Sequence, residues 1–532
     1  MQFKPTSAIG GQWLCEQFSL NLVNALTVQS QIGARRHSIT TVVSTCETYQ
    51  EMMRPDDTLR GHLTFHLKHE SINLEMLSRL FALQVGADLV LWIEREPTSQ
   101  YARRAGFLYE WMSGNRLAVD DAKIGGNYAD ALNPADLVVA TKSQMTGRWR
   151  VRDNMPGTRE FCPTVRLSTH AKAAMAVDCT VMLEDLKIEF GAEMLLKSAV
   201  WLTLRESRSS FQLEGEQDKK DRIERFAEVL HSYTGQGEPP LGQESLALLQ
   251  RAILGKASSI RQPGVRKSPV FIGQTIGYQE VIHYVAPPSS DVPGMLDGLG
   301  TFLNKTTGQS PVMRAAVASF GFVYIHPMAD GNGRVHRFLI NDVLRRDGVV
   351  PAPLIVPVSG LIASDAHERQ KYDAVLDTVS RPLMVLYKSA SRLNGPVTAY
   401  EDGISSNFIF EATDDARHAW RFIDYTPHVQ FMGDALERAI YLEMRVQALF
   451  IRNHQLARNA IKEVIEMPDA QVDRVIRSIQ QNNGMLSGAL SQEIPYLTSP
   501  GIWTKVCEAV AASYRDAEPK ADEDVCKDQP SG

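Results

Sequence analysis

His326-Pro-Met-Ala-Asp330-Gly-Asn332-Gly-Arg334-Val-His-Arg337 brings a histidine, a carboxylate, a Gly-Asn-Gly turn and two arginines into one short stretch. Upstream, Met313, Ala316, Val317, Phe320, Val323 and Tyr324 recur at helical spacing, which predicts a buried amphipathic helix delivering His326 at its end. Pro327 stops that helix, because proline lacks an N–H and disfavours a helical conformation in the residue before it. Gly331 and Gly333 adopt positive φ at little cost and Asn332 tolerates it, so successive N–H groups can curl into an anion-binding nest. A second helix is expected to start near Gly333, with Val335, Leu339 and Val343 on one face and Gly348 as its C-cap. Its positive N-terminus points at the same anion. Arg334 and Arg337 lie one turn apart and share a face, so both can reach a polyphosphate chain. These are the parts needed to hold a nucleoside triphosphate on magnesium and to deprotonate a hydroxyl beside it.

Three plainer readings compete. Asp-Gly-Asn-Gly can be an ordinary turn. It can open a calcium loop, although Arg334 then sits where an oxygen ligand belongs and Asn341 where the bidentate Glu should be. His326 can be a core histidine satisfied by a backbone carbonyl. The combined spacing weighs against all three. No G-x-x-x-x-G-K-[ST] stretch competes for phosphate, and His367-Glu-Arg-Gln-Lys371 lacks the second histidine of a zinc protease.

The stretch resembles the signature of the Fic family, His-x-Phe-x-(Asp/Glu)-Gly-Asn-Gly-Arg-x-x-Arg, with Met328 in place of the buried phenylalanine. The resemblance implies transfer of AMP from ATP to a Ser, Thr or Tyr hydroxyl of a target protein, with release of pyrophosphate. His326 would then be the general base and Asp330 the Mg²⁺ ligand. Gly331, Asn332 and Gly333 would form the anion hole, with Arg334 on the β-phosphate and Arg337 on the γ-phosphate. ATP as substrate and Mg²⁺ are the implied cofactors.

Two further segments resemble the same family. Gly264-Val-Arg266, Pro269-Val-Phe-Ile272-Gly and Tyr284-Val-Ala-Pro287-Pro288 look like its flap, and an apolar segment ending at Gly273 followed by 281–285 reads as a short hairpin. In the family such a flap, here about 270–285, docks the target by strand addition. Ser210-Phe-Gln-Leu-Glu214-Gly215 resembles the inhibitory motif (Ser/Thr)-x-x-x-Glu-(Gly/Asn), in the subgroup that carries its inhibitory helix before the core. Ser210 and Glu214, one helical turn apart, would face the site, and Glu214 would pair with Arg337 in place of the γ-phosphate.

The chain has 532 residues, 44% hydrophobic and 22% charged, with a net charge of −6, which describes a globular protein with no overall nucleic-acid footprint. Six cysteines (15, 46, 162, 179, 507 and 526) form no C-x-x-C pair, so reduced thiols and a cytoplasmic location are expected. Cys162 reads as structural. No signal sequence opens the chain, and the longest apolar run, 80–93, is broken by Gln84 and Asp88, so no membrane association is expected. The fold class expected is mostly α: a Fic-type helical core with a β-hairpin flap, an N-terminal domain of uncertain class and a C-terminal helix-turn-helix-like domain. The division expected is 1–200, with α/β-like segments; 201–395, the core with its inhibitory helix at about 205–215; 400–515, a helical and conceivably winged domain; and 516–532, a disordered tail. In the third, 456–465 and 471–480 read as short amphipathic helices, the second carrying Arg474 and Arg477 toward DNA as a candidate partner. Interleaved Glu463, Glu466, Asp469 and Asp473 weigh against that partner, and a homo-oligomer is left open. Beside adenylyl transfer held down by Glu214, two other readings remain. One is a Fic-type enzyme using another donor or removing AMP; the other is a DNA-binding regulator whose core senses nucleotide.

Overall fold

The computed structural model describes residues 7–41, 44–216, 219–255, 260–276 and 279–514. The expected tail at 516–532, and with it Cys526, lies outside the described residues. The molecule is mostly helical, with small sheets.

Residues up to about 165 build α/β structure around their own apolar cluster, which includes Trp13, Leu63, Leu77, Trp92, Leu108 and Trp149. A four-stranded sheet runs in the order Ala8–Ile9, Val28–Ile32, Thr45–Tyr49, His37–Thr40, and only the central pair is parallel. Four helices follow: Leu59–His69, Leu74–Ala82, Gly86–Arg95 and Gln100–Ser113. The second and third cover the apolar run noted in the sequence and bend by 105° at their junction. Among the described residues no single helix is long and apolar enough to cross a membrane. Cys162 is buried, its N–H donates to the Arg421 carbonyl at 2.8 Å, and desolvation pushes its thiol up to about 12. That suits a structural side chain.

The main core gathers around the helix Pro311–Ile325. Pro311 occupies its first turn and the Ser310 hydroxyl accepts from the Met313 N–H, both ordinary start signals. The sequence predicts an amphipathic helix, but every residue from Val312 to Ile325 is buried. The reason lies in the residues between the apolar ones: Ala315, Ala318, Ser319 and Gly321 are small, and Arg314 is neutralised by Asp347 at 2.7 Å. A helix without a polar face belongs at the centre of a fold. Around it stand the helices Val292–Lys305, Asn332–Arg346 and Thr426–Arg438.

The predicted hairpin forms from Phe271–Ile276 and Gln279–Val285, antiparallel, with a register shift between Ile272 and Gly273. Gly273 is needed there, because a Cβ would stand 2.7 Å from the Val281 carbonyl. The base of the hairpin is packed by Phe271 against Phe408, with ring centroids 4.8 Å apart, and by the Tyr284 hydroxyl donating to the Tyr324 carbonyl at 2.6 Å.

The helix carrying Ser210 runs from Ala192 to Leu213, much longer than the predicted 205–215, because Leu195, Ala199 and Leu202 continue its buried stripe into the core. Gly215, at φ +72°, ends it. Toward the C-terminus the helix Arg445–Val464 is likewise longer than the predicted 456–465 and follows the π-helical stretch Ala439–Met444 without a break. Arg445 pairs with Glu189 at 2.6 Å, which fastens this early part onto the preceding helices. The helices Asp469–Gln481, Gly488–Glu493 and Ile502–Tyr514 close a separate small core with Ala457, Ile461, Val472, Val475 and Val510. Among the described residues 445–514 no strand occurs. Arg474 pairs with Glu493, and Arg477 is exposed.

Candidate functional site

His326 caps the central helix in a left-handed conformation, φ 50° and ψ 58°. A non-glycine residue holds that conformation only when its surroundings over-determine it. Here its N–H donates to the Phe322 carbonyl at 2.9 Å, and its own carbonyl accepts from Arg266 Nε at 2.7 Å. The ring Nδ1 lies 3.1 Å from the Val323 carbonyl, which can only accept, so Nδ1 carries the hydrogen and Nε2 keeps its lone pair. Desolvation, then the charge of Arg266, pushes the imidazole pKa down to about 4, against an opposing pull from Glu214. His326 is therefore neutral at ordinary pH.

The loop after it differs in one respect from the nest read in the sequence. Gly331 is left-handed, at φ +94°, but Asn332 and Gly333 already belong to the helix Asn332–Arg346. The Asn332 side chain pins the loop instead: Oδ1 accepts from the Met328 N–H at 2.9 Å and Nδ2 donates to the Met328 carbonyl at 2.7 Å. Met328 is fully buried in the place of the family's phenylalanine. What results is a helix N-terminus, whose first-turn N–H groups lack intrahelical partners, rather than a curled nest.

Gly333 is required for space, not for φ. A Cβ on it would stand 2.0 Å from Glu214 Oε1 and 3.1 Å from Arg337 Nη2. The Glu214 carboxylate thus lies against the helix N-terminus, and it pairs with Arg337 at 2.6 Å. Ser210 completes the clasp, its hydroxyl accepting from Arg337 Nε at 2.7 Å and its carbonyl from Nη2 at 3.2 Å. Burial opposes ionisation of Glu214, but the Arg337 charge and hydrogen bond, helped by Arg334 and His326, hold its carboxyl below the usual range. Arg337 is 2% exposed.

Arg334 faces Asp330 at 3.0 Å and Glu216 at 3.4 Å, and lies over the Phe211 ring at 5.0 Å. Among the described residues its buried Nε has no partner, a donor left for an anion. The structure therefore brings together the residues that the sequence grouped around His326: Asp330, Gly331, Asn332, Gly333, Arg334, Arg337, Ser210 and Glu214. Sequence reasoning missed Glu216 and the role of Arg266, which it quoted only as part of the hairpin region. It also missed Glu206, fully buried, whose carboxylate accepts from the Ser359 N–H at 2.8 Å and the Ser359 hydroxyl at 2.5 Å. No local pattern marks the roles of Arg266 and Glu206, because His326 and Ser359 lie far away in the chain; Glu216 pairs locally with Lys219 and Arg222, and its reach to Arg334 comes only from the fold.

Residues 240–344 match the Fic/DOC family, and the chain carries a Fic domain there. Over that region it is 33% identical across 110 residues to a protein adenylyltransferase fic-1 of Caenorhabditis briggsae, covering 21% of this chain and 20% of the relative. It is 33% identical across 111 residues to a protein adenylyltransferase Fic of Drosophila willistoni, and 30% across 127 residues to one of Aedes aegypti. The match spans about a fifth of the length of these curated relatives. A Fic family protein of Desulfovibrio desulfuricans aligns over 62% of this chain and 87% of its own, at 18% identity and a TM-score of 0.35.

Among the described residues no three His, Cys, Asp or Glu side chains gather in a way that could hold a metal by themselves. Mg²⁺ does not need such a cage: it binds through one or two carboxylates, with substrate phosphates and water completing its shell. Asp330 fits that demand. Its carboxylate is 46% exposed at the mouth of the site, beside the helix N-terminus and Arg334.

Proposed function

We propose that this protein is an adenylyltransferase that moves AMP from ATP onto a Ser, Thr or Tyr hydroxyl of a protein, itself included, and that Glu214 holds it inactive. One observation carries the reading. The Glu214 carboxylate occupies an anion site formed by Arg337 and the helix N-terminus at Gly333, close enough to His326 to act on its pKa. A site that attracts a carboxylate with these donors takes a phosphate oxygen for the same reason. The neutral His326 supplies the other half, a base with its Nε2 lone pair available.

In the transfer, the acceptor oxygen bonds to the α-phosphorus as the bond to the bridging oxygen breaks, and pyrophosphate leaves. His326 Nε2 takes the hydroxyl proton, an effect worth roughly 10²–10⁴-fold. Arg334 and Arg337 neutralise the departing charge. Asp330 would hold Mg²⁺, which offsets charge on the phosphates when bound. The hairpin Phe271–Ile276 and Gln279–Val285 offers an edge to which an extended target segment can add, aligning its hydroxyl. With Glu214 on Arg337, the terminal phosphate has no counter-charge and the α-phosphate is not held for attack.

Wild type, Glu214→Gly and Glu214→Gly/His326→Ala, each incubated with Mg²⁺ and ATP and then weighed intact, test this. A gain of one AMP in the single variant alone is the expected result. Equal labelling of wild type and Glu214→Gly would remove the inhibitory role. No labelling of any protein in a lysate by Glu214→Gly would remove the transfer itself.

A further inference from the structure

His326 is held in its left-handed conformation from outside its own helix. Arg266 is 1% exposed, and each of its nitrogens donates to a backbone carbonyl around the site. Its backbone N–H donates to the Pro327 carbonyl at 2.8 Å and its Nε to the His326 carbonyl at 2.7 Å. Nη1 donates to the Ser268 carbonyl at 2.9 Å, and Nη2 to that of Pro287, just past the second hairpin strand. One guanidinium thus joins the histidine to both ends of the hairpin. The planar fork suits this, because its donors lie in fixed directions that a lysine cannot reproduce.

Arg266 is fixed in turn from about 135 residues downstream, outside the part matched to the Fic/DOC family. Asp402 is fully buried, and its Oδ2 accepts from the Lys267 N–H, the Ser268 N–H and the Ser268 hydroxyl, each at 2.8 Å. The Asp402 carbonyl accepts from the Arg261 N–H at 3.0 Å. So Asp402 sets the backbone from 261 to 268, and that segment sets Arg266.

We propose that Arg266, anchored through Asp402, is the positioning residue that fixes His326 for proton transfer and couples it to the hairpin that presents the acceptor. This rests on the transferase reading above. Arg266 touches no reacting atom. It acts by holding the His326 peptide where the ring meets the acceptor, and its charge lies beside a ring meant to stay neutral. Among the described residues, Arg266 and Glu214 are the charged groups that act on the imidazole.

The test uses the full chain in a Glu214→Gly background, with Arg266→Met and Arg266→Lys. Two quantities are read: kcat and KM for ATP of self-labelling, and the His326 titration by NMR of labelled histidine. Arg266→Met is expected to lower kcat by about 10²-fold, the effect of misplacing a reacting group by roughly 1 Å, with KM for ATP unchanged. Its His326 titration moves up from the parent's value, because a neighbouring positive charge is gone, and stays below the ordinary 6.5, because burial, the larger cause, remains. Arg266→Lys keeps the charge and loses the fork, so kcat falls while the titration stays. A folded Arg266→Met with the parent's kcat, or with an unmoved His326 titration, would overturn the proposal, and so would full activity in Arg266→Lys. If the Glu214→Gly parent forms no AMP adduct yet His326 still titrates higher in Arg266→Met, the transfer reading fails and the coupling of Arg266 to His326 stands.

Discussion

Glu214 and Gly333 depend on each other at the scale of single residues. The carboxylate reaches the helix N-terminus only because position 333 has no Cβ, and it stays because Arg337 is buried and, among the described residues, forms its ion pair with Glu214. Removing it leaves a buried guanidinium uncompensated, a costly state. Glu214→Gly is therefore expected to melt below wild type without nucleotide and to gain more Tm than wild type from ATP, which no longer has to displace a carboxylate. Thermal melts with and without ATP decide this, and equal gains would contradict it. His326 gives a second prediction. In the proposed transfer its neutral form is the base, so activity is lost as pH falls through its pKa. With that pKa at about 4, and lower still once Glu214 is gone, labelling by Glu214→Gly should persist well below 6.5. Initial rates against pH, corrected for ATP binding, check it; an acid limb centred near 6.5 would contradict the burial and charge described here.

Among the elements, the helix Ala192–Leu213 carries Ser210 and leads into Glu214, and it is fixed by Glu206, two turns before Glu214. Its carboxylate caps the short helix Val358–Ile362, and burial, opposed by the Ser359 hydrogen bonds, pushes its pKa up to about 7. An acid with a raised folded pKa binds its proton more tightly in the native state. Its contribution is complete below about 4.5, the unfolded value, and is lost as pH rises through about 7. Glu206→Gln should therefore flatten the decline of Tm across that window, measured as melts at a series of pH values. The hairpin makes its own prediction. Gly273→Val forces a Cβ against the Val281 carbonyl and shifts the strand edge. Labelling of a protein target should fall severalfold while ATP binding is kept, read as the rate of target labelling beside a nucleotide titration.

The whole molecule is joined by contacts that cross long stretches of sequence. Arg79, 5% exposed, donates to Glu75 at 2.9 Å, to Asp415 at 2.8 Å and to the Tyr387 hydroxyl at 2.9 Å. It links the N-terminal α/β structure to the long helix Ala366–Tyr387. Arg79→Ala leaves the fully buried Glu75 without its cation, at a cost of about 3–5 kcal/mol. A marked fall in Tm is expected while Glu214→Gly/Arg79→Ala still gains AMP, because the joint lies away from the site. Calorimetry and intact mass together check this.

Local chemistry made much of this legible in advance. Pro327 had to stop a helix, Gly331 could turn the chain left-handed, and Ser210 and Glu214 at helical spacing had to share a face. Gly348, at φ +78°, sits just past the second helix as read. These rules act between near neighbours, so a sequence displays them. Misread features came from the fold. Gly333 looked like a turn glycine, but the approach of Glu214 from more than a hundred residues away explains it. The central helix looked amphipathic until Arg314 found Asp347. The first helix of the small C-terminal core runs to twenty residues, its early part lying outside that core and paired through Arg445 with Glu189. The groups from His326 to Arg337 were legible before folding, because they lie in one continuous stretch of chain whose spacing is covalent. The contacts of Arg266 and Asp402 around His326, and of Glu214 with Arg337, came from the fold, because they exist only once distant segments are buried together.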